Sequence, residues 1–142
     1  MLRYFKNKKK FTPKRIDITK DVKDFSKEEL KVINLLNYTK KSATTYSGEL
    51  YEFGYHTFKL GDKILKGQRN PEERFKNVPF DFKGKSVLDI GSNQGGMLHA
   101  CAHEINFGIG VDYDSRMVNV ANRVKEHSKN TNLQFYVFDI EN

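Results

Sequence analysis

The chain holds a single cysteine, Cys101, so no intramolecular disulfide can form. A reducing, cytoplasmic setting is therefore expected. No apolar run approaches the length of a membrane span, and no transmembrane helix is expected. The positive charges near the N-terminus have no apolar block behind them, which argues against a secretory signal. His99 and His103 are four apart and could share a helix face, but no glutamate lies between them and no third ligand is evident. No metal site is expected. What remains is a soluble globular balance of 37% hydrophobic and 30% charged residues over 142 positions, enough for one domain with a modest core.

The net charge of +7 is unevenly placed. Residues 1–41 hold 13 basic and 5 acidic side chains, a net of +8, and the rest of the chain is at −1. Such a basic arm can bind phosphates and steer polyanions, although a solvated lysine-rich end is the favoured reading of Lys6 to Lys10.

Lys85 to Asp114 organises the chain: KSVLDIGSNQGGMLHACAHEINFGIGVDYD. An apolar strand from Ser86 to Ile90 breaks at a turn, Gly91-Ser92-Asn93-Gln94-Gly95-Gly96. A helix over about 96–105 follows, then a second apolar strand closing on Asp112. This is a βαβ unit with glycines at the first turn and an acid at the end of the second strand. Its physical use is to hold a nucleoside-bearing molecule at the carboxyl ends of parallel strands. Glycine lets the ligand touch bare backbone. The helix start offers unpaired N–H groups, and the acid can accept from both ribose hydroxyls. A dinucleotide fold wants G-x-G-x-x-G, but Asn93 stands where the middle glycine would admit a pyrophosphate.

Asp89 precedes Gly91 by two residues, and VLDIGSNQGG resembles motif I of class I S-adenosylmethionine-dependent methyltransferases. GVDYD, Gly110 to Asp114, resembles their second motif, and FYVFDIEN, Phe135 to Asn142, their third strand with its acidic end. The resemblance covers roughly Gly84 to Asn142. It implies an α/β fold: a Rossmann-like methyltransferase half-sheet of parallel strands in the order 3-2-1, incomplete, with a mainly helical N-terminal extension. It implies S-adenosyl-L-methionine as cofactor. It implies that Asp89 fixes the turn and attracts the α-ammonium, and that Gly91, Ser92, Asn93 and Gly95 present backbone and one amide. Asp112 would grip the ribose, Tyr113 pack on the adenine, Asp139 accept from the adenine amino group, and the Ile140 N–H meet a ring nitrogen. An arginine ahead of the motif, Arg69 or Arg74, would pair with the methionine carboxylate. The span from Gly67 to Gly96 is also similar to the approach to motif I in methylphosphate RNA-capping enzymes.

Three regions are expected: a basic, partly disordered arm over 1–24, a helical, aromatic-rich lid region over 25–83, and the cofactor-binding core over 84–142. Ser26 and Glu29 have capping-box spacing, with a helix to about Asn37 whose Leu30, Ile33 and Leu36 share a face. Tyr46 to Leu60 is crowded with aromatics. Either these rings build a core or Tyr51, Tyr55 and His56 line a substrate pocket. Asn70-Pro71-Glu72-Glu73 starts a short helix. Ser115 is expected to cap a helix to about His127. Leu133 to Phe138 reads as a strand covered on both faces.

The sequence stops at Asn142, after the third strand. Family members have seven strands, and no residue here matches the motif after their fourth. A fragment, a split gene product or a chain paired with a partner protein is therefore expected, with weak or absent turnover by this polypeptide alone. The acceptor is unassigned. RNA tracked by Lys6 to Arg15, a small molecule, or no acceptor at all in a non-catalytic remnant are the readings left open.

Overall fold

The computed structural model describes residues 25–42 and 55–141. The basic arm over 1–24, and Tyr51 among the proposed pocket residues, lie outside them.

Helix α1, Lys27–Ser42, starts on the expected capping box. Ser26 N–H donates to Glu29 Oε2 at 2.6 Å, and Glu29 N–H donates to Ser26 Oγ at 3.2 Å. Two of the helix's orphan donors are thus satisfied reciprocally. The helix runs past Asn37 because its buried face continues: Val32, Ile33 and Leu36 are followed by Thr39, also buried. Strands β1, Phe58–Leu60, and β2, Lys63–Leu65, form an antiparallel hairpin around Gly61-Asp62. Sequence reasoning missed this hairpin, although Gly at the first position of a two-residue loop is a known signal. Helix α2, Pro71–Lys76, begins as expected, with Glu72 N–H donating to Asn70 Oδ1.

The core region alternates β3, Ser86–Ile90, α3, Gly96–Cys101, β4, Phe107–Asp112, α4, Ser115–Ser128, and β5, Leu133–Val137. The three strands are parallel, in the order β3-β4-β5, which is the expected 3-2-1 arrangement. Helix α3 is shorter than expected: Ile105 N–H returns to Cys101 O as the chain turns Ile105 into the core. Asp114, not Ser115, caps α4, accepting from Arg116 N–H at 2.9 Å.

Helix α4 is buried on two sides. Val120 and Val124 join Val32, Ile33, Leu36, Phe58, Leu60 and Leu65 in a core under α1 and the hairpin. Val118 and Ala121 join Leu98, Cys101, Leu133 and Phe135 in a core against the sheet. The layers are therefore α1 with the hairpin, then α3 with α4, then the sheet. Among the described residues nothing covers the sheet's far face. Leu88 and Ile90 are each 61% exposed, and Tyr136 and Phe138 are about half exposed. The expectation of a third strand covered on both sides fails for this reason: an apolar run does not say which of its faces is met.

Candidate functional site

Strand β3 leads into a turn bound to the next strand. Gly91 N–H and Ser92 N–H both donate to Val111 O at 2.9 Å, so the backbone folds over the end of β4. Gly91 has φ +75°, the left-handed region, and a side chain there would enter open space. The openness is what a ligand resting on backbone requires. Gly95 has φ +74° and lacks that freedom: a Cβ would stand 2.6 Å from Phe135 Cε1. Asn93 is also left-handed, at φ 51°. Asparagine tolerates that region better than other side chains, which accounts for its standing where glycine is usual. Its Oδ1 accepts from Gln94 N–H at 2.9 Å, so the side chain braces the turn.

The turn and the acid at the end of β4 meet. Asn93 N–H donates to Asp112 Oδ2 at 2.8 Å, and Asp114 N–H donates to Asp112 Oδ1 at 2.9 Å. Asp112 is 8% exposed. Each carboxylate oxygen keeps acceptor capacity beyond its one backbone bond. Phe138 N–H donates to Asp112 O at 3.0 Å, which brings the segment after β5 to the same place. On that segment Asp139 accepts from Glu141 N–H at 3.0 Å in a local turn, and Ile140 is 70% exposed. Tyr113, next to Asp112, is 78% exposed.

Asp89 lies behind Gly91. Its Oδ2 is buried without a hydrogen-bond partner, as is Ser92 Oγ. Burial raises the Asp89 carboxyl above its ordinary value, the Asp112 charge raises it further, and the Arg74 guanidinium opposes both. A buried carboxylate in this state is stabilised by any cation that reaches it. Of the two arginines, Arg74 acts on the Asp89 carboxyl, and both side chains are exposed. Arg69 is exposed and is fixed by its backbone, which receives Thr57 N–H and donates to Tyr55 O, both at 2.7 Å.

His56 does not line an open pocket. It is 3% exposed, its ring packs against Gly96, and Tyr55 and Phe58 flank it. Burial holds it neutral, down to about 3. Tyr55 is half-buried beside it. His99 has both ring nitrogens engaged, Nε2 with Ala121 O at 3.0 Å and Nδ1 with Asn130 Nδ2 at 3.1 Å. Among the described residues no cluster of three His, Cys, Asp or Glu could hold a metal ion. Nor is any described helix long and apolar enough to cross a membrane. Burial pushes the Cys101 thiol up to about 11, so it stays protonated.

The structure therefore brings Asp89, Gly91, Ser92, Asn93, Gly95 and Asp112 together at the carboxyl ends of β3 and β4, with Tyr113 beside them. Sequence reasoning missed Gln94, which is 1% exposed within the turn. A long polar side chain between loop residues carries no periodic signal that could have found it.

Residues 81–142 match the family described as a methyltransferase domain. With the parallel β3-β4-β5 sheet, this match is consistent with a class I S-adenosylmethionine-dependent methyltransferase fold. Solved structures similar to it include the YcgJ protein from Bacillus subtilis, at 26% identity over 51% of this chain and 30% of that one, TM-score 0.44. A SAM dependent methyltransferase from Aquifex aeolicus is 22% identical over 49% of this chain and 38% of that one, TM-score 0.43. Phosphoethanolamine N-methyltransferase 2 from Haemonchus contortus, solved with S-adenosyl-L-methionine, is 27% identical over 49% and 16%, TM-score 0.43. The chain thus spans well under half the length of each of these. No curated protein matches it.

Proposed function

We infer that this chain supplies the cofactor-binding part of an S-adenosylmethionine-dependent methyltransferase, with the cofactor at the turn after Ile90. One observation carries the reading: Asn93 N–H closes on Asp112 Oδ2 at 2.8 Å beside the open backbone of Gly91. The residues fit the group. Unpartnered Asp89 Oδ2 and Ser92 Oγ await polar partners, and a ligand ammonium would satisfy the raised carboxyl. Asp112 would accept from the ribose hydroxyls. Exposed Tyr113 would offer its ring to the adenine, with Asp139 and the Ile140 backbone at the adenine edge. Arg69 or Arg74 would meet the methionine carboxylate, and Tyr55 is the described residue left for the acceptor side. When bound, the cofactor supplies an electrophilic methyl group. The protein contributes alignment and exclusion of water.

The open sheet face of Leu88, Ile90, Tyr136 and Phe138 is where further methyltransferase elements, in this chain or a partner, would dock and add the acceptor site. A second reading takes RNA as the acceptor, supported by the +8 excess over residues 1–41. It requires RNA binding that weakens with salt and is lost on deleting residues 1–15. The principal test is calorimetry with S-adenosylhomocysteine. Saturable binding that falls about 100-fold in Asp112→Ala supports the cofactor site, a change of the size expected for losing a charged hydrogen-bond acceptor. Absence of binding by the unaltered chain refutes it.

A further inference from the structure

Three remote parts of the chain meet at the side chain of Gln94. Its Nε2 donates to Thr39 Oγ1 at 2.9 Å, across 55 positions, and its Oε1 receives His56 N–H at a longer 3.4 Å, across 38. Thr39 Oγ1 in turn donates to Leu36 O at 2.9 Å. The hydroxyl proton is thereby committed to the helix, and an oxygen lone pair is left to face Gln94. Gln94, Thr39 and His56 are each at most 3% exposed. Water does not substitute readily for such bonds, so each one lost leaves a buried polar atom unsatisfied.

The position of this amide in the turn gives it a consequence beyond packing. Gln94 follows Asn93, whose N–H reaches Asp112 Oδ2 at 2.8 Å, and precedes Gly95, whose N–H donates to Ser92 O at 2.8 Å. Asn93 and Gly95 are both left-handed, a backbone state that must be held by its surroundings. Asp112 holds the turn from the sheet side. From the other side the only side chain reaching back from the turn to α1, among the hydrogen bonds of the described residues, is that of Gln94.

We propose that Gln94 is a positioning residue for the cofactor turn, locking its shape to Thr39 of α1 and to the backbone of His56. It does not touch the cofactor. It fixes the adjacent backbone that does, and so makes α1 part of the cofactor site at a distance. The proposal rests on the cofactor reading above.

The test uses the 142-residue chain and Thr39, which belongs to neither the turn nor the ligand contacts. Thr39→Val keeps the shape and removes the acceptor, Thr39→Ser keeps the acceptor, and Val32→Ala weakens the same helix elsewhere. S-adenosylhomocysteine affinity is measured by calorimetry well below each unfolding midpoint, and amide exchange of Gly95 is followed without ligand. Thr39→Val should bind about tenfold more weakly, the scale of one buried hydrogen bond, and its Gly95 amide should exchange about tenfold faster. Thr39→Ser should match the unaltered chain in both, and Val32→Ala should match it in affinity despite a lower midpoint. If Thr39→Val does not fold, Gln94→Met, which keeps length and loses both bonds, should show the same two losses. Unaltered affinity and exchange in the variant that folds, or equal losses in Val32→Ala, would overturn the positioning role. Failure of the unaltered chain to bind at all would instead sink the cofactor reading, and the proposal with it.

Discussion

The two faces of the three-stranded sheet are built differently. Toward α3 and α4 the strands present Gly108, Gly110, Leu133 and Phe135, all buried. Toward the far side they present Leu88, Ile90 and Tyr136, all at least half exposed. Both faces are apolar in sequence, so hydrophobicity did not decide which is covered. The difference lies in the loops. Each strand-to-strand connection here carries a helix, and both helices pack on one face, which closes the core on that side and leaves the turn after Ile90 at its rim. The covered face builds the site, and among the described residues the other face is left exposed.

This contrast can be broken most directly at Gly95. Gly95→Val would place a branched side chain at φ +74° and against Phe135, so a loss of about 4 kcal/mol, or no folded protein, is expected in urea titration. A near-neutral result would mean that the turn is not pressed onto the covered face. Next in size, Leu133→Ala should cost about 3 kcal/mol, because the side chain is fully buried, whereas Leu88→Ser should cost under about 0.5 kcal/mol and improve solubility. Equal costs would show that the far face is covered in solution, for example by self-association.

The chemistry at the rim reflects how much of this was legible beforehand. The capping residues Ser26 and Asn70 were readable because each is fixed by neighbours a few positions away, and the glycine turn and Asp112 because the βαβ pattern sets them at the ends of successive strands. The parallel order followed from the βαβ pattern. The contact between Gln94 and Thr39 was not readable, since two polar residues 55 positions apart give no local signal. The surroundings of His56 were left open for the same reason. An aromatic stretch shows that rings will pack, but not whether the histidine among them faces a cavity or the back of Gly96. The bare face was equally hidden, because alternation identifies a strand and leaves open what meets each side.

A smaller effect sharpens the covered side. Burial against α4 holds His99 down to about 4, below its ordinary value of 6.5. Between these values the unfolded chain takes up a proton that the folded chain refuses. The stability depending on neutral His99 is therefore complete above about pH 6.5 and is lost as pH falls toward 4. His56, held to about 3, adds to the same trend. His99→Gln, which keeps a donor and an acceptor without titrating, should flatten the fall in unfolding midpoint over that window. An unchanged slope would assign acid sensitivity elsewhere. Away from the sheet, Ser26→Ala should cost about 1 kcal/mol through the lost capping box of α1.

The claim beneath all of this is that the rim between β3 and β4 receives an adenosine-bearing cofactor. A titration of the nitrogen-15-labelled chain with S-adenosylhomocysteine reads it residue by residue. The largest amide shifts should fall on Gly91 to Gly95 and on Asp112 and Tyr113, with the bare face around Leu88 undisturbed. Shifts confined to the far face, or none at saturating ligand, would contradict it.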